Sequence, residues 1–206
     1  MIDNRLYKVV DFIYKLLVLN FAFFFGIVIG VVVVGIFPAT IALIKGLETI
    51  SEEDAVTLLK NFIRRYLKVF VKANVLGLGV SLLFIGAYIN FQLLTNSQSL
   101  VTGVLSVVLF MFTLYLGLAL FNSVLLYRYK EEHSLKMVLI DGCIYTFVNL
   151  KYSLLQLVLA VLYLFVLIKL PILFLFGGTS GVILLQQKIF NLAVNKTTTL
   201  VLTKEA

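Results

Sequence analysis

The sequence predicts an all-α, polytopic helical membrane bundle with about five transmembrane helices and one or two interfacial amphipathic helices. Three observations predict it. Of 206 residues, 62% are apolar and 13% are charged, against about 45–50% and about 25% in an average soluble domain. Apolar runs recur at about 20 residues, the length a helix needs to cross a bilayer core of about 30 Å. The charges cluster between those runs. So few polar side chains cannot cover a soluble globule, and the composition excludes an ordinary soluble domain, a disordered chain, a collagen-like chain and a disulfide scaffold.

A single integral membrane domain, 1–206, is expected, with spans at about 16–37, 69–94, 100–126, 152–168 and 171–186. Each must be helical, because unpaired backbone amides are prohibitively costly in hydrocarbon. Pro38 is expected to end the first span. That run is too long for the h-region of a cleavable signal, about 7–15 residues, so it should stay in the membrane. The fifth span is short and interrupted by Gly177, Gly178 and Gly181, with Pro171 placed to start a helix.

Between the first two spans, 51–68 reads as an amphipathic helix. Ser51 is placed to cap it, and Glu52, Glu53 and Asp54 then fill the positive end of its dipole. Ala55, Leu58, Leu59, Phe62, Ile63, Tyr66, Leu67 and Phe70 recur at three-and-four spacing, with Lys60, Arg64, Arg65 and Lys68 mostly opposite. This is the pattern of a helix in the headgroup plane or packed on the bundle. A second interfacial helix is expected at 134–150. An offset of 79 residues matches Glu52 with Glu131, Glu53 with Glu132, Tyr66 with Tyr145, Val69 with Val148 and Lys72 with Lys151. That alignment reads as a parallel repeat of interfacial helix plus hairpin.

Lys and Arg in short loops set orientation. Loop 92–103 carries no charge, which places it outside. Five spans then put 13 of the 17 Lys and Arg inside, with the N-terminus out and the C-terminus cytoplasmic. The alternative is a first segment that dips in and returns, a bend that Gly26, Gly30, Gly35 and Pro38 permit. The N-terminus would then be inside and Lys169 alone outside.

Chemistry-bearing groups are scarce. Asp, Glu, Arg and His are missing from the centres of the five spans, where proton-coupled transporters usually place them. One cysteine, Cys143, and one histidine, His133, argue against a metal site. Nucleophile, metalloprotease and phosphate-loop motifs are lacking, and the glycine run at 176–181 lacks the Lys-Ser/Thr that would follow it. An enzyme, a cofactor and a nucleic-acid partner are therefore not expected. The spacings Gly26-x-x-x-Gly30 and Gly177-x-x-x-Gly181 read as close packing within the chain. Asn74, Asn90 and Gln156 are expected to bond between helices or to face a water-filled cavity, and Asp141 to pair with Arg128 or Lys136. Asn20, Thr113, Tyr115 and Asn122 either bond likewise or line a polar cavity for a hydroxyl-rich solute. Lys60, Arg64, Arg65, Lys68 and Arg128 are the candidate cytoplasmic surface for anionic lipid headgroups or a partner.

Several short stretches resemble one family. They are Leu19-Asn20, then Phe37-Pro38-Ala39-Thr40-Ile41-Ala42-Leu43, then Phe62-Ile63-Arg64-Arg65-Tyr66, and finally Leu125-Leu126-Tyr127-Arg128-Tyr129. Together they resemble the YesL-like family of small bacterial integral membrane proteins, a family of unknown function, over about 6–192. The chain departs from the family pattern in having Val124 where members often carry Pro, and in lacking Trp near Asn20. The resemblance implies a role in carbohydrate utilisation and brings no catalytic residues. With the cationic amphipathic helix and the missing catalytic groups, the expectation is a non-enzymatic accessory component of carbohydrate uptake or utilisation, whose partner is a sugar permease or other membrane protein. The other reading is a small transporter or channel subunit for a neutral solute.

Overall fold

A computed structural model describes residues 4–96, 99–127 and 134–202. Among them the regular structure is helical throughout: α1 (Asn4–Ile29), α2 (Val33–Glu48), α3 (Ala55–Asn96), α4 (Leu100–Tyr127), α5 (Leu135–Val148), α6 (Leu150–Lys169) and α7 (Thr179–Leu202), with a wide turn at Phe174–Gly178 before α7. Among the described residues four helical stretches are long and apolar enough to cross a membrane: Leu6–Ile29, Ala55–Thr95, Leu100–Tyr127 and Leu150–Lys169. The expected all-α bundle is therefore present, with four such helices rather than about five.

The expected first span, 16–37, is not one helix. The chain reverses at residues 30–32, and α2 packs back along α1 as a hairpin. The reversal is a Schellman closure. Val32 N–H donates to the Ile27 carbonyl at 2.9 Å, and Val31 N–H donates to the Val28 carbonyl at 3.1 Å. Val31 holds the left-handed position, φ 56°, that glycine usually fills. The glycines instead sit where the two helices touch. A Cβ at Gly35 would lie 2.6 Å from the Ile27 carbonyl oxygen, and one at Gly30 would run into the Gly35 backbone. Pro38 lies inside α2 and does not end a helix. The one helical bond it forgoes is to the Val34 carbonyl.

The amphipathic segment and the second span, expected as separate elements, form one 42-residue helix, α3. It is about 63 Å long at 1.5 Å per residue. Hydropathy changes at its middle, but nothing there breaks a backbone. Its cap is Asp54 rather than Ser51: the Asp54 carboxylate accepts from Val56 N–H at 3.2 Å and Thr57 N–H at 3.3 Å. Those bonds, with one from the Thr57 hydroxyl foremost, hold the Asp54 carboxyl below the usual carboxylate range. Ser134 caps α5 by accepting from Met137 N–H.

The expected fifth span, 171–186, is split. Its first part is the wide turn, where Phe176 and Gly177 leave helical geometry and Gly177 takes φ 88°. The rest opens α7.

The chain divides into two compact units. The first comprises 1–73 and 151–206, and the second comprises 74–150. The core of the first joins Leu19, Ala22 and Phe23 of α1 to Ala39, Ala42, Leu43 and Leu47 of α2 and to Leu58, Phe62 and Tyr66 of α3. Leu58, Phe62 and Tyr66 of the amphipathic segment thus pack on protein, while Leu59, Ile63 and Leu67 stay exposed. In the second unit α5 lies against α4 so closely that a Cβ at Gly142 would strike the Ser123 hydroxyl. The expected matches Glu131 and Glu132 lie outside the described residues.

Candidate functional site

The residues singled out from sequence fall in both units. In the first, Asn20 is buried and fully employed. Its amide nitrogen donates to the Phe174 carbonyl at 2.9 Å, and its oxygen accepts from the Ser180 N–H at 3.2 Å and the Ser180 hydroxyl at 2.9 Å. It ties α1 to the turn and to the start of α7. In the second unit, Tyr115 donates its hydroxyl to the Cys143 carbonyl at 2.9 Å, and Asn122 donates to the Thr146 hydroxyl at 2.9 Å. Both bonds bind α4 to α5. Thr113 is half-buried and bonds back to the Leu109 carbonyl on its own helix. Asn90 joins α3 to α4 by donating to the Ser106 carbonyl at 2.9 Å. Asn20 and the trio Thr113, Tyr115 and Asn122 therefore belong to separate units.

A second polar group in the first unit went unnoticed in the sequence apart from Gln156. Along α7, Thr179 shares a bond with the Tyr163 hydroxyl at 2.8 Å. Gln186 donates to the Gln156 carbonyl at 2.9 Å, and Gln187 donates to the Ile44 carbonyl at 2.6 Å. The Gln156 side chain is 1% exposed, and neither its oxygen nor its nitrogen has a protein partner. Burying an amide without a partner is costly.

The basic residues divide by helix face. Lys60, Arg64 and Lys68 are exposed on α3. Arg65 turns inward and is half-buried, and its Nη1 is buried without a hydrogen-bond partner. It lies near Lys45 on α2, whose ammonium is held below the usual lysine range by burial first and by the Arg65 charge second. Arg128 lies outside the described residues. The charge pattern of α3 was legible in its spacing. The inward turn of Arg65 was not, because it depends on where α2 lies.

Beside the Lys60 and Arg64 edge of the same helix segment an apolar groove runs between α1 and α3. It measures about 380 Å³ and is lined by Val18, Phe21, Ala22, Phe25, Gly26 and Ile29 from α1, and by Leu59, Phe62, Ile63, Tyr66 and Leu67 from α3. Its floor is fixed: Phe62 and Tyr66 are buried, and the Tyr66 hydroxyl donates to the Gly26 carbonyl at 3.0 Å. Its rim is open, with Phe25 60% and Leu67 67% exposed.

Long apolar helices, buried amides used between helices and a segregated basic face define a polytopic helical membrane protein. Residues 16–91 match the family model described as a protein of unknown function, DUF624. YesL-like proteins are that family, so the sequence resemblance holds over α1 from Leu16, all of α2 and α3 as far as Phe91. No curated protein and no solved structure matches the chain.

Proposed function

We propose that this chain is a non-enzymatic accessory component of a bacterial carbohydrate uptake or utilisation system, with the basic face of α3 as its cytoplasmic contact surface. One observation carries the reading. Leu58, Phe62, Tyr66 and Val69 lock the first half of α3 into the first unit, so Lys60, Arg64 and Lys68 stand exposed on a fixed face. A rigid row of cations docks more strongly than a floppy one, because less side-chain and backbone freedom is lost on contact. The family resemblance supplies the sugar context, and the partner is a sugar permease or other membrane protein. The α1–α2 hairpin supports the returning topology in the cell membrane. On that topology both termini are cytoplasmic, and Lys169 is the one cation outside.

Crosslinking and mass spectrometry of the tagged chain from cells grown on different sugars test the role. The reading expects a permease among the crosslinked proteins and reduced uptake after charge reversal at Lys60, Arg64 and Arg65. Unchanged uptake in that variant counts against it. Sidedness is tested in a Cys143-free chain with single cysteines at Asp3 or Ser99: outside reagent should label position 99 and spare position 3.

The buried amide of Gln156 favours a second reading, a small transporter or channel subunit for a neutral solute. Flux of that solute in liposomes, lost in Gln156→Leu while folding is kept, would support it.

A further inference from the structure

The groove between α1 and α3 is apolar along its whole described lining, so a polar solute entering it would lose hydration without gaining a partner. Its α1 wall from Val18 to Ile29 is about 16 Å long at 1.5 Å per residue. That is the shape of a slot for a flexible hydrocarbon chain, in a protein whose helices already place it in lipid.

The charge beside the slot is one-signed. At about 100° per residue, Lys60 and Arg64 follow Leu67 around α3, next to the groove-lining edge formed by Leu59, Ile63 and Leu67. Both cations are exposed. Between Ala55 and Ala73, α3 carries five cations and no Asp or Glu. On α1, Asp11 is already paired with Lys15 at 2.7 Å. The long aliphatic stems of Lys60 and Arg64 can lie along the apolar edge while their heads reach the headgroup layer. The Arg64 fork suits two phosphate oxygens at once.

We propose that this groove is a binding site for one anionic phospholipid. An acyl chain lies between Phe25 and Ile63, and the headgroup phosphate is held by Lys60 and Arg64. The inference rests on reading the basic face of α3 as a contact surface, and it names the ligand at the groove-side edge of that face.

The test is native mass spectrometry of the full chain in mild detergent, titrated with dioleoyl phosphatidylglycerol or dioleoyl phosphatidylcholine. The wild type should take up the anionic lipid about ten- to thirty-fold more tightly, as two cations at an anionic surface imply. Lys60→Gln with Arg64→Gln should remove the preference and keep weak binding of both lipids. Ile63→Trp, at an exposed wall position, should fill the groove and weaken both. Circular dichroism melts of all three proteins check that the fold is kept. Equal binding of the two lipids, or a preference that survives the charge variant, overturns the proposal. So does a second copy of the chain retained on this face and lost in Ile63→Trp. Unselective lipid binding alongside an intact permease crosslink removes this inference alone. Selective binding with uptake indifferent to charge reversal removes the docking reading alone.

Discussion

The α1–α2 hairpin turns on two glycines, and Gly35→Ala tests it directly. A methyl at Gly35 would meet the Ile27 carbonyl oxygen at 2.6 Å, the Gly26 carbonyl oxygen at 2.7 Å and the Ile27 Cα at 2.9 Å. All three are backbone atoms of the facing helix, so no side chain can rotate aside and the helices must part. Overpacking of this kind costs about 1–3 kcal/mol, with rigid neighbours toward the upper end. Alanine returns up to about 1 kcal/mol of helix propensity. The net expectation is a loss of about 2 kcal/mol. Gly117→Ala on α4 is the control, since a methyl there meets nothing within 4 Å; it should be neutral or gain up to about 1 kcal/mol. The two variants should therefore differ by about 3 kcal/mol, roughly a hundredfold in the unfolding constant. The assay is titration of the detergent-solubilised protein with dodecyl sulfate, followed by near-ultraviolet circular dichroism. If Gly35→Ala unfolds with the wild type or with Gly117→Ala, the close backbone contact does not hold the hairpin together.

Three other outcomes are expected. Val31→Gly should stabilise the chain by about 1 kcal/mol in the same titration, because a β-branched residue at φ 56° is strained and 80% of its surface is exposed with little packing to lose. Asn20→Ala should cost about 1–3 kcal/mol, since it removes bonds to Phe174 and Ser180 and leaves buried groups unmatched; wild-type stability in that variant would show that the tie is unimportant. Lys45 should make stability rise with pH. Its folded pKa lies below the 10.5 of the unfolded chain, so between the two values the unfolded state binds more protons and raising pH favours folding. Arg65→Gln removes a neighbouring positive charge, which should bring the Lys45 pKa upward and flatten that rise in unfolding midpoints measured across the alkaline range.

Much of the helical plan was legible because run length and period report burial directly. Helices α4, α5 and α6 begin and end within a few residues of the segments 100–126, 134–150 and 152–168 read from sequence. The turn in the first segment was harder to place. Its glycines signal a bend, but the reversal falls on Val31 and Val32, the residue type least suited to positive φ, while the glycines serve the helix contact. Local preference pointed one way, and packing between α1 and α2 decided the other. The boundary inside α3 misled for a different reason: a change of hydropathy marks a change of surroundings, not of backbone. At its start, Ser51, Glu52, Glu53 and Asp54 offer several caps in a row, and only the fold selects Asp54. For the polar residues, sequence identified which ones must find partners but not whom. Tyr115 and Asn122 prove to staple α4 to α5, and Asn20 is satisfied by the turn before α7. Gln186 and Gln187 escaped notice because they sit at the end of a short, glycine-broken run.

The Asn20 bond has a consequence in time. Its partners, Phe174 and Ser180, stand about 154 and 160 positions later in the chain. At about 5–20 residues per second, on the order of ten seconds or more separates the synthesis of the amide from that of the groups that satisfy it. The α1–α2 hairpin and the first half of α3 can close over one another early, since their shared core lies within residues 19–66. During that interval the nascent protein carries a buried-type amide still looking for its bond. The last tie of the first unit can therefore form only once the start of α7 has been made.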